Sequence, residues 1–403
     1  MSVGAVSRDR AAFAGLPAIG RDQLWIRADE YASDARKERL DLIVGVYRDD
    51  EGRAPVMGAV RDAEARLLKQ AASKQYVGPM GDRGFNSAVT DLVLGSALAR
   101  RATTIQTVAG TGALRLLFDF WRVVKPEATV HVGTPAYINH PAILRASGLA
   151  TKTYNLRRGG RLDVDAVLAA AGGAAPGDVL LLQGCCHNPT GLSMPTAAWT
   201  EIGEVIGERG VVPLIDHAYF GLGDGLEDDL GGARQLLERV PLGLVAVSAS
   251  KIWSLYSERT GCAMVVSCHP EDGTYAHDLL ESTARATYSQ PPAHGASIVR
   301  EILHDDELRI DWLRELEAMR MRLDRHRQLL LAGLTLPDQE LEAVSAQRGM
   351  FLSLPLGPEQ MRRLSKDHAI YGALSGRINL AAIPADRLED VSQAISRVAL
   401  TAG

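Results

Sequence analysis

Cysteine is scarce: the 403 residues hold four, Cys185, Cys186, Cys262 and Cys268. So low a count, with no C-x-x-C pair, excludes a disulfide-stapled scaffold and a cysteine-built zinc site. The adjacent Cys185 and Cys186 are expected to be inert and buried. Positive charge is not in excess either, since 44 Lys and Arg stand against 49 Asp and Glu, a net charge of -5. That balance gives no general attraction to nucleic acid or anionic membrane, yet leaves room for a local basic pocket that binds a small anion. No apolar run is long and charge-free enough to span a bilayer, and the opening "MSVGAVSRDRAAFAGLPAIG" lacks the apolar core of a signal peptide. Repeats and low-complexity tracts are missing too. The expectation is a soluble protein of a reducing compartment, the cytoplasm, with no nucleic-acid and no membrane partner.

What is present is an apolar content of 46%, enough in a chain of this length for a large core and more than one domain. Apolar runs ending in polar turns alternate with stretches of helical periodicity. "TTIQTVAGTGALRLLFDFWRVVK" reads as a strand, a glycine turn and a helix with Leu114, Leu117, Phe118 and Trp121 on one face. "TVHVGTPAY", "DVLLLQGCCHNPTG", "VVPLIDHAYFG" and "LGLVAVSASKIW" repeat the strand and turn. The pattern predicts an α/β fold with a largely parallel sheet whose working loops gather past the strand ends. Nearer the start, "DLIVGVYRDDEGRAP" reads as a short strand entering a turn. The following "VMGAVRDAEARLLKQAASKQY" reads as a helix with Val60, Ala63, Leu67 and Leu68 on one side. Leu308, Trp312, Leu316, Met319, Leu323 and Leu330 mark a long helix further on.

Most lysines are solvated surface charges, but Lys251 follows the strand-like run Val245, Ala246, Val247 and the two serines Ser248 and Ser250. A desolvated lysine has a depressed pKa and can form an imine with a carbonyl compound. Arg259 adds a donor fork suited to phosphate. In "AGTGALR", Gly110 and Thr111 open a helix whose N–H groups can face an anion, although the run lacks the GK[ST] ending of a Walker loop. Asp216, at another strand exit, suits a cationic ring nitrogen. Tyr219 offers a phenolic hydrogen bond nearby, and Asn188 an amide from an Asn-Pro turn. Together these strand exits resemble a holder for pyridoxal phosphate (PLP) more than a set of unrelated turns.

The order of "VGVYRDDEGRAPV", "YVGPMGDRGF", "GTGALR", "GCCHNPTG", "DHAY", "SASKIWSLYSERTG", "ARATYSQPPAHGAS" and "SGRINLA" resembles the fold-type I PLP enzymes. Within them it is similar to the class I aspartate and aromatic amino-acid aminotransferases, over nearly the whole chain from Asp41. The resemblance implies a large domain with a mostly parallel mixed sheet between helices, and a smaller α/β domain built from both termini. The corresponding division is an arm at 1–20, small-domain parts at 21–54 and 319–403, and a PLP-binding domain at 55–318. It also implies Lys251 as the Schiff-base lysine, Asp216 at the pyridine nitrogen, and Asn188 with Tyr219 at the ring hydroxyl. Gly110, Thr111, Ser248 and Arg259 match the phosphate cup, and Tyr76 the tyrosine that reaches the neighbouring subunit's phosphate in a homodimer with shared sites.

On the substrate side, Arg377 resembles the clamp for the α-carboxylate, and Arg285 the arginine supplied across the dimer to a distal carboxylate. Gly45, Tyr137, Asn188 and Phe351 complete that side, and Ile19 and Gly20 fall near the family's N-terminal lid. Three positions depart from the family. Tyr137 stands where a cofactor-stacking tryptophan is usual, Ala109 replaces a hydroxyl residue before the Gly-Thr pair, and Gln183 replaces a supporting histidine. His140 keeps the match that supports Asp216. The implied activity is ping-pong transamination between an aromatic L-amino acid, with aspartate a further donor, and 2-oxoglutarate, PLP alternating with pyridoxamine phosphate. Competing readings are an aspartate-preferring enzyme, a transaminase for an unusual aromatic or hydroxylated amino acid, another PLP-dependent reaction such as an elimination, and a ligand-sensing noncatalytic protein.

Overall fold

The computed structural model of the protein describes residues 23–70 and 73–400. The expected arm at 1–20, with Ile19 and Gly20, lies outside the described residues. Seven strands form the central sheet: β1 (Ala102–Val108), β2 (Thr129–Thr134), β3 (Ala150–Asn155), β4 (Val179–Gln183), β5 (Val212–His217), β6 (Leu242–Ser248) and β7 (Thr260–Ser267). Their order across the sheet is β1-β7-β6-β5-β4-β2-β3. β7 runs antiparallel to both neighbours, and the remaining pairs are parallel.

The apolar runs are continuous because both faces of the sheet are covered, with alternate residues pointing to opposite sides. Leu180, Leu182, Ile215, Val245 and Val247 join one hydrophobic cluster, while Val179, Leu181, Leu214, Leu244 and Ala246 join another. The helix Ala109–Val124 packs Leu114, Leu117, Phe118 and Trp121 into the second. On the opposite face, the helix Asp306–Ala332 contributes Leu308, Trp312, Leu316, Met319 and Leu323 to the first. Its Leu330 reaches a third cluster that joins Leu40 and Leu42 to residues from Leu334 through Val398. Two short pairings organise this smaller unit: Leu40–Asp41 lies parallel to Ile370–Tyr371, and Phe351–Ser353 antiparallel to Arg377–Asn379.

Two local expectations need correction. The helix Gly58–Gln70 buries Val60 and Ala63 and half-buries Leu67, but Leu68 is 80% exposed. Leu68 is five residues beyond Ala63, a rotation of about 140° at 3.6 residues per turn, which carries it off the buried stripe. The strand in "DLIVGVY" is only Leu40–Asp41. Beyond it the backbone leaves the ladder and is held by a side chain instead: the Asn379 amide donates to the carbonyls of Val44 (2.7 Å) and Val46 (2.8 Å). Among the described residues, no helix is long and apolar enough to cross a membrane.

Candidate active site

The C-terminal ends of β4, β5 and β6 and the turn after β1 converge on one cavity of about 400 Å³. Its wall includes Gly110, Thr111, Tyr137, Gln183, Asn188, Asp216, Tyr219, Ser248, Lys251 and Arg259, with Val44 and Gly45 closing it from the smaller unit. Residues separated by up to about half the chain are thus gathered at the strand ends, where open α/β sheets place their ligands.

Lys251 sits one turn past β6 in a segment that cannot swing freely. The indole N–H of Trp312 donates to the Ile252 carbonyl at 2.8 Å, and the Trp253 ring stacks on Trp312 with centroids 5.0 Å apart. The lysine Nζ lies 5.2 Å from the Tyr219 ring centroid. Desolvation lowers its pKa from 10.5 to about 8, helped by the positive charges of Arg259 and Arg377 and opposed by Asp216. Asp216 is buried, with Oδ2 3.0 Å from Nε2 of the buried His140, whose ring meets Tyr137 edge-on at 5.2 Å. The Tyr219 hydroxyl accepts from the Asn188 amide at 3.3 Å, and burial raises its pKa.

A cup forms at one edge of the central sheet, where β1 ends and its neighbour β7 begins. Ala109 (φ +57°) and Arg259 (φ +52°) both occupy the left-handed region, and the Ala109 N–H donates to the Arg259 carbonyl at 3.0 Å. A conformation costly to L-residues, adopted twice in contact, marks a segment whose shape the surroundings dictate. Gly110 is needed for close approach, since a Cβ there would stand 3.0 Å from the Ser248 Cβ. The Ser248 and Ser250 hydroxyls pair at 3.1 Å. The first turn of the helix Ala109–Val124 carries no side-chain cap, so its amides remain available to an anion.

Arg377 is buried beside the cavity. Its Nη1 donates to Asn188 Oδ1 at 3.0 Å and its Nη2 to the Ile43 carbonyl at 2.6 Å, while Nε is buried without a partner. Phe351 lies beneath it, the guanidinium carbon 4.4 Å from the ring centroid, so this phenylalanine supports the arginine rather than facing the cavity. Gly45 leaves room for that ring: a Cβ at Gly45 would stand 2.6 Å from Phe351 Cζ.

Tyr76 and Arg285 are placed elsewhere. Tyr76 is 91% exposed, and Arg285 is exposed with its guanidinium donating to the Ser289 hydroxyl. They share a region of the surface, because Gln290, just past Arg285, accepts from the amides of Val77 (3.0 Å) and Gly78 (3.2 Å). The sequence reading missed Trp25 and Tyr256, both on the cavity wall. For Trp25, a large aromatic residue on the helix Gln23–Ser33 was the available signal. Gln183 hydrogen-bonds the backbone of Asn188.

Residues 37–395 match the family model described as aminotransferase class I and II. The chain belongs to that family. This aminotransferase is 43% identical over 356 residues to a tyrosine aminotransferase of Rhizobium meliloti, spanning 88% of this chain and 91% of that protein. It is 39% identical to an aromatic-amino-acid aminotransferase of Paracoccus denitrificans, over 94% and 97% of the two chains. Among solved structures, the aromatic-amino-acid aminotransferase from Burkholderia pseudomallei, covalently bound to pyridoxal phosphate, superposes with a TM-score of 0.92. That match has 33% sequence identity and covers 96% of this chain and all of that one.

Proposed function

We propose that this aminotransferase uses PLP to move an amino group between an aromatic L-amino acid and 2-oxoglutarate in a ping-pong cycle. The observation that carries the reading is the desolvated Lys251 amine on the same cavity as Asp216, Asn188 and Tyr219, with Arg377 behind Asn188. The residues fit the cofactor: a buried carboxylate for a ring nitrogen, a phenol and an amide for a ring oxygen, a cup of amides and hydroxyls for a phosphate, and a lysine for an aldehyde. The PLP named for the Burkholderia pseudomallei relative supports the same assignment.

PLP, when bound, supplies an aldehyde for amines and a ring that takes up electron density as the substrate's Cα–H bond breaks. Lys251 would anchor it, and its amine, when free, would move the substrate's Cα proton as general base and acid. Its lowered pKa makes the neutral, proton-accepting amine accessible near pH 8. Asp216, oriented by His140, keeps the ring nitrogen protonated. Gly110, Thr111, Ser248 and Arg259 would hold the phosphate. Arg377 receives the substrate's α-carboxylate, its unpartnered Nε supplying a donor that no protein atom uses.

Substrate choice rests on two further features. Trp25, 57% exposed, offers an indole face at the cavity wall to an aromatic side chain. Arg285 and Tyr76, exposed together, suit delivery to a second subunit's cavity in a homodimer, where Arg285 meets the distal carboxylate of glutamate or 2-oxoglutarate. That arginine also favours a secondary use of aspartate. The four cysteines are free, which supports the cytoplasm as the compartment. The test is a panel of phenylalanine, tyrosine, tryptophan, aspartate and hydroxylated analogues against 2-oxoglutarate, comparing kcat/KM. Aromatic donors leading the panel is the expected result, and aspartate ahead of all of them overturns the aromatic assignment.

A further inference from the structure

We propose that Gln183 is a positioning residue: it grips the main chain of Asn188 and thereby sets the bridge between Tyr219 and Arg377. Gln183 is the last residue of β4, five positions before Asn188. Its side-chain Oε1 accepts from the Asn188 N–H at 2.8 Å, and its Nε2 donates to the Asn188 carbonyl at 3.0 Å. One amide therefore holds both peptide groups that flank the Asn188 α-carbon, which fixes the direction in which that side chain leaves the backbone. The consequence is read at both ends of Asn188. Oδ1 accepts from Arg377 at 3.0 Å, and Nδ2 donates to the Tyr219 hydroxyl at 3.3 Å.

The chemistry demands a glutamine. The grip needs a donor and an acceptor side by side in one plane: a carboxylate has no donor, and leucine of similar length has neither. Asn188 is buried, so a peptide group released from the grip has little water to replace it. Rotation of Asn188 then moves its amide away from Arg377 and Tyr219 together. Gln183 acts through Asn188 and touches neither end itself.

The inference rests on the site assignment above, and wild-type protein tests that assignment separately. If the wild type fails to show the near-visible absorbance of PLP held on Lys251, or fails to bind 3-indolepropionate, the assignment itself fails. On the wild-type holoenzyme and the variants, two quantities are measured: the pH midpoint of that absorbance, and the dissociation constant of 3-indolepropionate. Gln183→Leu is expected to shift the midpoint and weaken the ligand about tenfold, the scale of one or two buried hydrogen bonds. In an Asn188→Ala background, Gln183→Leu is expected to change affinity less than about twofold, because the residue it acts through is already gone. Gln183→Glu keeps the shape and the acceptor, and carries the same cycle if the leucine variant does not fold. Wild-type values of both quantities in a folded Gln183 variant, or effects of the two substitutions that simply multiply, overturn the proposal.

Discussion

Removing the lysine at the centre of the site is expected to stabilise the cofactor-free protein. Lys251 is pulled from 10.5 to about 8 mainly by desolvation, so the folded state holds its proton less tightly than the unfolded state does. Below about pH 8 both states carry the charge, and the folded state bears the full cost of confining it. Between about 8 and 10.5 the unfolded chain binds more protons, so this group's contribution to stability improves as pH rises, and above 10.5 the cost is gone. At about 1.4 kcal/mol per pH unit, the interval corresponds to roughly 2–3 kcal/mol once partial exposure is allowed for. Lys251→Met, which keeps the side-chain length, should therefore raise the unfolding free energy by about that amount at pH 7, with the advantage fading toward pH 10.5. Urea unfolding of both PLP-free proteins across this range isolates the group and its electrostatic partners, because titrations not coupled to Lys251 cancel in the difference. A difference that stays flat with pH, or a variant less stable than wild type at pH 7, refutes the electrostatic reading of the cavity.

Arg285→Ala should lower kcat/KM for dicarboxylate substrates roughly 10- to 100-fold, the worth of a charged two-point hydrogen bond, while aromatic donors lose far less in half-reaction assays. Gly45→Ala should force the Phe351 ring from beneath Arg377, costing about 1–3 kcal/mol in denaturant unfolding and raising KM for every amino acid. Trp25→Ala should reduce kcat/KM for phenylalanine and tyrosine roughly 2- to 10-fold, on the scale of one aromatic contact, with aspartate unchanged. Equal losses across that panel would make Trp25 a packing residue.

The parts of the molecule legible in the sequence are those in which local pattern and tertiary role coincide. The apolar runs ending at Gln183, Asp216 and Ser248 are strands covered on both faces, and the polar residue that ends each run lines the cavity because it lies at the C-terminal end of its strand. Trp25 was hidden because it stands in the consecutive run Leu24, Trp25, Ile26, where spacing singles out no one residue until the cavity wall is assembled around it. Gln183 was legible as a departure, but its partner was not. Strand pairing sets Gln183 opposite Asp216, whereas the side chain turns to the backbone of Asn188 in its own loop. Leu68 shows the limit of counting apolar spacing in a short helix: one residue off the stripe is enough to reach solvent.

The antiparallel entry of β7 between β1 and β6 carries a consequence for biosynthesis. Among the described residues β1 pairs only with β7 in the central sheet, so Ala102–Val108 gains its sheet neighbour only as Thr260–Val266 leave the ribosome. Ala109 and Arg259, joined by a hydrogen bond across that seam, cannot meet until Arg259 has emerged. The nascent chain can assemble the parallel strands β2 to β6 while still tethered, as long-range pairings wait on loop closure. The edge proposed to hold the phosphate is completed after that parallel core, so capture of the cofactor waits on β7.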